Sequence, residues 1–182
     1  LQASELVRFE KLPIADNDPV VFIDTAGCGF EEAVVEGHLS RFNPGEFTTL
    51  REHLYQLTGA FIGGACPSIA LISPYKEQVI YMEQQIAQDP VLSAAPITIN
   101  TIDGFQGQER EVVYISLVRS NEKCEIGFLK DYRRMNVAMT RARKQLIVIG
   151  DSATIGVDPF YAGFLEFCEA FGKYLTAWEF ML

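Results

Sequence analysis

Two almost uninterrupted apolar runs constrain the fold of this chain more than any other feature of its sequence. The runs are Val112–Val118 and Leu146–Gly150, and both are rich in β-branched residues. A strand that is apolar at successive positions needs cover on both faces, which is typical of the central strands of a parallel sheet. The sequence therefore predicts an α/β domain with helices on both faces of a parallel sheet.

Shorter apolar runs alternate with helical patterns along the rest of the chain. Further strands are predicted at Val20–Asp24, Ile69–Ile72, Ile97–Asn100 and Leu175–Phe180. Helices are predicted at Glu46–Ile62, Tyr75–Gln88, Arg133–Arg141 and Asp158–Gly172, mainly because apolar residues recur there every three or four positions. This alternation predicts one three-layer domain over residues 1–182, with residues 1–18 as a poorly packed lead-in segment.

The charge of the chain is unevenly distributed. The formal net charge is −9, which argues against a protein that coats nucleic acid through bulk charge. Between Thr101 and Gln145, however, nine Lys and Arg residues oppose six Asp and Glu residues, so this segment carries +3 and the remainder −12. The asymmetry predicts one local working face on an otherwise acidic domain.

Several classes of protein are disfavoured by simple features of the sequence. No apolar run approaches the ~18 residues that a membrane span needs, and the first residues do not read as a secretory signal. The cysteines are far apart, which disfavours zinc; they are Cys28, Cys66, Cys124 and Cys168. We expect free thiols in a cytoplasmic protein, with one disulfide as the alternative.

A polar loop follows the strand predicted at Ile97–Asn100. It has the sequence TIDGFQGQERE, from Thr101 to Glu111. Gly104 and Gly107 free the backbone to approach a ligand closely. The Glu109 carboxylate could accept hydrogen bonds from ribose hydroxyls, and Thr101 could donate to a nucleic-acid phosphate. The alternative is a polar turn at the sheet edge without a ligand.

Four arginines lie in the run Asp131–Lys144, which has the sequence DYRRMNVAMTRARK. A planar guanidinium at the end of a buried element is well suited to bind phosphate oxygens. Arg141 and Arg143 are two residues apart and cannot share a helical face. We expect one to reach a phosphate and the other to form a structural ion pair. The alternative is that every arginine is a surface or ion-pair residue.

Two further segments leave the ends of predicted strands. In SPYKEQ, which begins at Ser73, the ring of Tyr75 could stack on a base or on adenine, or simply pack at a helix start. Arg119 leaves a central strand where a phosphate contact would be placed. Because ligands of parallel sheets bind beyond the carboxyl ends of the strands, we expect the motif loops at that edge.

Parts of a complete ATPase site are absent from the sequence. It contains no G-x-x-x-x-G-K-[ST] loop to cradle phosphates and no Asp-Glu pair at a strand end to hold Mg²⁺. Hydrolysis requires a metal, a phosphate cradle and a positioned water in addition to an arginine. We therefore expect no metal site here and no activity from this chain alone.

The blocks SPYKEQ, TIDGFQGQEREVVYISLVRSN and GFLKDYRRMNVAMTRARKQLIVIGD, with the upstream DTAGCG and NPGE, resemble the C-terminal RecA-like domain of superfamily 1B helicases. The similarity is to the up-frameshift and immunoglobulin-mu-binding-protein type, and it runs from about Val20 to Asp151. It implies a P-loop-NTPase-like fold without its own P-loop. Some relatives have an arginine where this chain has Pro44, so Arg141 is left more alone as a phosphate ligand.

The resemblance implies a role for each motif residue. Arg141 would be the arginine finger, with Arg134 and Arg143 as structural ion pairs or secondary phosphate contacts. Residues expected at the nucleotide are Gly107, Glu109, Gln78 and Tyr75. Residues expected at the nucleic-acid backbone are Ser73, Thr101 and Arg119.

The implied function is that of the second motor domain of an ATP-dependent helicase. Its cofactor would be ATP with Mg²⁺, the metal being held mainly by an N-terminal RecA-like domain of the same protein. Its other partner would be single-stranded DNA or RNA, between which the sequence does not decide. The alternatives are a catalytically silent nucleic-acid-binding or interaction module, and a translocase that strips proteins without separating strands.

Overall fold

The computed structural model describes residues 12–13 and 17–181 of the chain. Most of the predicted lead-in segment, residues 1–18, lies outside the described residues. Leu12, which is described, is 2% exposed and belongs to the hydrophobic core. The backbone carbonyl of Asp18 accepts a hydrogen bond from the Gln145 side chain (3.1 Å).

Six parallel strands form the central sheet. They are β1 (Val20–Asp24), β4 (Ile69–Ser73), β5 (Ile97–Thr101), β6 (Arg110–Ser116), β7 (Ala142–Gly150) and β8 (Lys173–Thr176), in the spatial order β5-β4-β6-β7-β1-β8. The two apolar runs lie on β6 and β7 at the centre, as predicted. A separate antiparallel ribbon joins β2 (Ala33–Val34) to β3 (Arg41–Phe42).

Helices cover both faces of the sheet and complete three layers. One face carries α1 (Pro44–Gly59) and α2 (Lys76–Gln88), and the other carries α3 (Tyr132–Met139), α4 (Ser152–Ile155) and α5 (Pro159–Phe171). Short 3-10 turns lie at Leu92–Ala94, Gly127–Lys130 and Ala177–Phe180. Successive residues of the central strands alternate between the two cores; Val112 packs with one and Val113 with the other.

Two predicted boundaries are wrong in ways that affect the site. The helix predicted at Arg133–Arg141 ends at Met139, and β7 begins at Ala142, four residues before the apolar run. Arg141 therefore lies in a turn rather than in a helix. The predicted closing strand Leu175–Phe180 is also displaced, since β8 ends at Thr176 and a 3-10 turn follows.

Candidate functional site

The predicted site residues lie at two opposite edges of the sheet. Since the strands are parallel, Ser73 and Thr101, at the ends of β4 and β5, share the carboxyl edge. Arg141 precedes β7 and lies at the amino edge, where its carbonyl accepts a hydrogen bond from the backbone N–H of Arg110 (3.2 Å). The expectation that the motif loops lie together at the carboxyl edge is therefore wrong for Arg141.

The loop between β5 and β6 connects the two edges. Its residues 102–109 cross the face of the sheet from the carboxyl end of β5 to the amino end of β6 without a helix. At its start, the half-buried Thr101 accepts a hydrogen bond from the backbone N–H of Gly104 (3.1 Å). Phe105 is buried within it, and the Arg110 guanidinium lies 5.2 Å from the centre of the Phe105 ring.

Glycines shape this crossover. A Cβ on Gly104 would lie 2.0 Å from the Asn100 side-chain oxygen, so a larger residue would require the Asn100 side chain to move. Gly107 has a φ of 77°, a conformation that other residues rarely adopt. The turn at Gly107 leads to Glu109, which is exposed and precedes Arg110. The structure thus brings Gly107 and Glu109 to the edge that holds Arg141.

Arg141 is presented by the end of α3. Asp131 caps the start of this helix by accepting a hydrogen bond from a backbone N–H (3.2 Å), and the Arg141 N–H bonds the Ala138 carbonyl (3.2 Å) as the helix ends. Arg141 is half-buried, its Nε is fully buried without a hydrogen-bond partner, and no carboxylate of the described residues pairs with it. A buried N–H without an acceptor costs about 1–3 kcal/mol, and a phosphate oxygen is an acceptor well suited to a guanidinium.

The neighbouring arginines have other roles. The Nε of Arg134 lies 3.4 Å from Asp103 and 3.2 Å from Asp131, so it ties α3 to the crossover. All three side chains are exposed, and such ion pairs stabilise a fold only slightly. Arg143 is exposed and forms no ion pair among the described residues. Arg134 thus forms ion pairs, one of the two roles expected of it, whereas the ion pair expected of either Arg141 or Arg143 is not formed among the described residues.

Three residues predicted to contact ligands are buried in this structure. Ser73 accepts a hydrogen bond from the backbone N–H of Tyr75 (3.2 Å). Tyr75 is 2% exposed, with its ring stacked on Phe128 (centroids 5.2 Å apart), and Gln78 is 0% exposed. Tyr75 and Gln78 follow the carboxyl end of β4, so they lie at the edge opposite Arg141. Their contact with a nucleotide stays a prediction that the geometry does not favour.

Arg119 is a buried guanidinium held by a carboxylate. Its side chain is 4% exposed, its Nε donates to Glu32 (2.8 Å), and its Nη1 donates to the Tyr75 hydroxyl (3.3 Å). Glu32 also pairs with Arg41 (3.1 Å), so one carboxylate joins two cations. Arg119 is therefore a fixed positive charge at the carboxyl edge.

A buried glutamate that sequence reasoning missed organises this edge. Glu46, in the first turn of α1, is 0% exposed. It accepts hydrogen bonds from the Ser116 hydroxyl (2.6 Å) and from the backbone N–H of Val118 (3.0 Å). Gln78 donates to Ser116 (2.9 Å) and accepts from the backbone N–H of Asn43 (2.8 Å). Burial raises the pKa of Glu46 to about 8, although these donors oppose the change.

Glu46 explains an unusual backbone conformation. Val118 has a φ of 72°, which is costly for a β-branched residue. Its N–H bonds Glu46, and its carbonyl accepts from the Asn43 side chain (3.1 Å). The segment NPGE contains a visible signal, because Asn three residues before Glu is a helix-capping pattern. That pattern predicts a helix start but places the glutamate at the surface, whereas the structure buries it.

Arg141 has an unpartnered donor at the amino edge. Within residues 12–13 and 17–181, no group of three or more His, Cys, Asp or Glu side chains could hold a metal ion. Within the same residues, no helix has the length and apolar character to span a membrane.

Known proteins with similar sequences identify the family. A family profile described as an AAA domain matches residues 2–153. The chain is 39% identical over 182 residues to the DNA polymerase alpha-associated DNA helicase A of Saccharomyces cerevisiae, and 39% identical over 163 residues to the DNA-binding protein SMUBP-2 of Rattus norvegicus. These alignments cover 96% and 90% of this chain. The chain belongs to the superfamily 1B helicases.

Other superfamily 1B members align over a similar extent. The putative helicase MOV-10 of Gallus gallus is 36% identical over 183 residues, or 91% of this chain. The chain spans only 24% of the yeast helicase, 16% of the rat protein and 18% of MOV-10. Its α/β sheet, with helices on both faces, is the RecA-like fold that the sequence predicted.

Proposed function

We propose that the chain acts as the second motor domain of an ATP-dependent helicase and that Arg141 is its arginine finger. The observation that carries this proposal is the half-buried Arg141 side chain, which pairs with no carboxylate of the described residues. The guanidinium lies at the amino edge, beside the loop that holds Glu109, and no described carboxylate neutralises it. A γ-phosphate presented by another RecA-like domain would supply a negatively charged partner for this guanidinium.

In this proposal the residues of the chain divide the work at the nucleotide. ATP with Mg²⁺ supplies the phosphoryl group whose transfer drives the motor. The Arg141 guanidinium stabilises negative charge on that group, while Glu109 accepts hydrogen bonds from ribose hydroxyls. The backbone at Gly107 can approach the nucleotide closely because it carries no side chain. Phosphate cradle and metal ligands come from the other domain, so the chain alone hydrolyses no ATP.

The opposite edge is proposed to bind single-stranded DNA or RNA. Ser73 and Thr101 are the last residues of β4 and β5, and Arg119 follows the end of β6 by three residues. Arg119 contributes a fixed charge, which attracts a phosphate backbone without reading its sequence. A cytoplasmic location stays a prediction.

The finger is tested by replacing Arg141 with Ala in the intact protein. We expect ATP turnover at saturating nucleic acid to fall by about 10³-fold or more, with nucleic-acid affinity changed by less than about threefold. Arg133→Ala is the matched control, because Arg133 lies on α3, is exposed and pairs with no described carboxylate. Turnover within tenfold of the wild type in Arg141→Ala would remove Arg141 from this role.

The same preparations distinguish the alternative functions. A silent interaction module would show no nucleic-acid-stimulated ATP turnover in the wild type. A translocase that only displaces proteins would hydrolyse ATP and remove a bound protein from a single strand, but would not unwind a duplex with a single-stranded overhang.

A further inference from the structure

A small basic cavity lies at the carboxyl edge, and among the residues that line it the helicase motifs assign a role to Arg119 alone. It has a volume of about 480 Å³. Its lining includes the cations Arg41, Arg119 and Lys130 and one carboxylate, Glu125. Arg41 is half-buried, whereas Lys130 is exposed and forms no ion pair with a described residue. The lining therefore carries two positive charges in excess, and one when the buried Glu32 behind it is included.

The deepest cation of this cavity is held in a fixed orientation. The side chain of Arg119 is only 4% exposed. Its Nε and Nη1 bond Glu32 and the Tyr75 hydroxyl, whereas Nη2 donates to none of the described residues. A Cβ on Gly127 would lie 2.0 Å from Nη1, so a larger residue here would displace the guanidinium. The site has a buried, partly unused donor at its base.

An exposed aromatic ring adjoins the cavity in the same 3-10 turn, Gly127–Lys130. Phe128 is 58% exposed, although a ring of this size is usually buried. One side of the ring stacks on the buried Tyr75, with an interplanar angle of 28°. The Phe128 backbone N–H donates to the Tyr75 hydroxyl (3.3 Å), which fixes the turn beneath the ring. The outer side of Phe128 is thus a supported, flat, apolar surface in contact with solvent.

A nucleotide unit requires both kinds of surface at short range. Its phosphate is anionic and is bound by Lys and Arg, and its base is flat and stacks on aromatic rings. Phe128 lies in the turn Gly127–Lys130. It is flanked in sequence by Gly127 and Lys130, and both of these residues line the cavity. A flat apolar ring next to a cavity with an excess of positive charge suits a nucleic-acid strand better than an apolar peptide.

We propose that this turn seats one nucleotide of the single strand, with its base stacked on Phe128 and its phosphate bound by Lys130, Arg41 and the free Nη2 of Arg119. The inference rests on the proposed nucleic-acid function and deepens it. It assigns base contact to Phe128, whereas the sequence had suggested Tyr75. Tyr75 acts beneath Phe128 as its support. The contact is tolerant of sequence, because every base has a flat face.

The test measures binding of fluorescent single-stranded oligonucleotides to the intact protein. We expect Phe128→Ala and Phe128→Leu to weaken binding by about tenfold, and to abolish quenching of a 2-aminopurine base placed in the strand. An oligonucleotide with abasic sites at the bound positions should bind all these proteins equally. Phe171→Ala, which removes a ring that is 73% exposed on α5, should leave binding unchanged.

The phosphate half of the proposal has its own measurement. Lys130→Ala should reduce the slope of log affinity against log salt by about 0.7, the value for one phosphate contact on a single strand. Lys144→Ala is the control at the opposite edge, where this lysine pairs with Glu111 (2.9 Å). An unchanged slope for Lys130→Ala would overturn the assignment of the cavity.

The outcomes separate this inference from the proposed function. If the Phe128 variants bind single strands as tightly as the wild type does and quench 2-aminopurine as strongly, the proposed nucleotide site is wrong and the proposed function stands. Equal losses on normal and abasic strands would mean that Phe128 acts only through the fold, which also overturns the proposed nucleotide site. If the wild type binds neither single-stranded DNA nor RNA at low salt, both proposals fail.

Discussion

Replacing Glu46 with Gln should change how the stability of the fold depends on pH. The Glu46 carboxyl is 0% exposed, and burial raises its pKa from 4.5 to about 8 despite the hydrogen bond from the Ser116 hydroxyl and those from backbone N–H groups. A raised folded-state pKa means that the folded protein holds the proton more tightly than the unfolded chain. The stability this provides is complete below pH 4.5 and is lost as the pH rises through about 8.

The size of the effect follows from the two pKa values. One pKa unit corresponds to about 1.4 kcal/mol, so the whole difference corresponds to about 5 kcal/mol. Between about pH 5.5 and about pH 8.5 the wild type should lose about 3 kcal/mol of unfolding free energy through this group. Gln has nearly the same shape and does not titrate, so Glu46→Gln should lack that loss.

Urea denaturation at the two pH values measures the difference. With a denaturant slope of about 2 kcal/mol per molar, the unfolding midpoint of the wild type should fall by about 1.5 M relative to that of Glu46→Gln. Glu52→Gln removes a partly exposed carboxyl from the same helix and serves as the control. If the midpoints of the wild type and Glu46→Gln differ by the same amount at both pH values, the buried carboxyl does not titrate as argued.

Two further substitutions test the packing around the site. Gly127→Ala should lower the unfolding free energy by about 1–3 kcal/mol, because residue 127 has a φ of 51° and a Cβ there would meet Arg119. Thermal unfolding measures the loss, with Gly163→Ala as the control because a Cβ at residue 163 has open space. Equal effects of the two substitutions would contradict the prediction. Leu54→Ala should lower the unfolding free energy by about 2–5 kcal/mol, because Leu54 is 0% exposed. Leu39→Ala, at a position that is 95% exposed, should change it by almost nothing. Urea denaturation measures both, and similar losses would contradict the assigned core.

The sheet was predictable because its two central strands coincide with the two long apolar runs of the sequence. Val112–Val118 and Leu146–Gly150 are apolar at successive positions, and strands β6 and β7 lie there with both faces covered. The polar residues Arg143, Lys144 and Gln145 near the start of β7 concealed its true beginning. The ribbon of β2 and β3 has two residues per strand, too few for an alternating pattern to show.

The division of the site between two edges was not predictable from the motifs. A connection between parallel strands usually takes a dozen or more residues, so the short loop after Thr101 gave no sign that it ends at the amino edge beside Arg141. The burial of Glu46 was hidden for another reason. A carboxylate is normally a surface residue, and its partners Ser116 and Val118 are about 70 positions away in sequence.

The crossover between β5 and β6 has a mechanical consequence. Residues 102–109 join the end proposed to touch the nucleic-acid strand to the end proposed to touch ATP, and the buried ring of Phe105 pins them to the sheet between those ends. A chain this short and this firmly anchored has little slack. We expect this loop to be rigid. A displacement of Thr101 as the nucleic-acid strand advances would then be transmitted to Glu109 directly through the loop and not through the helices.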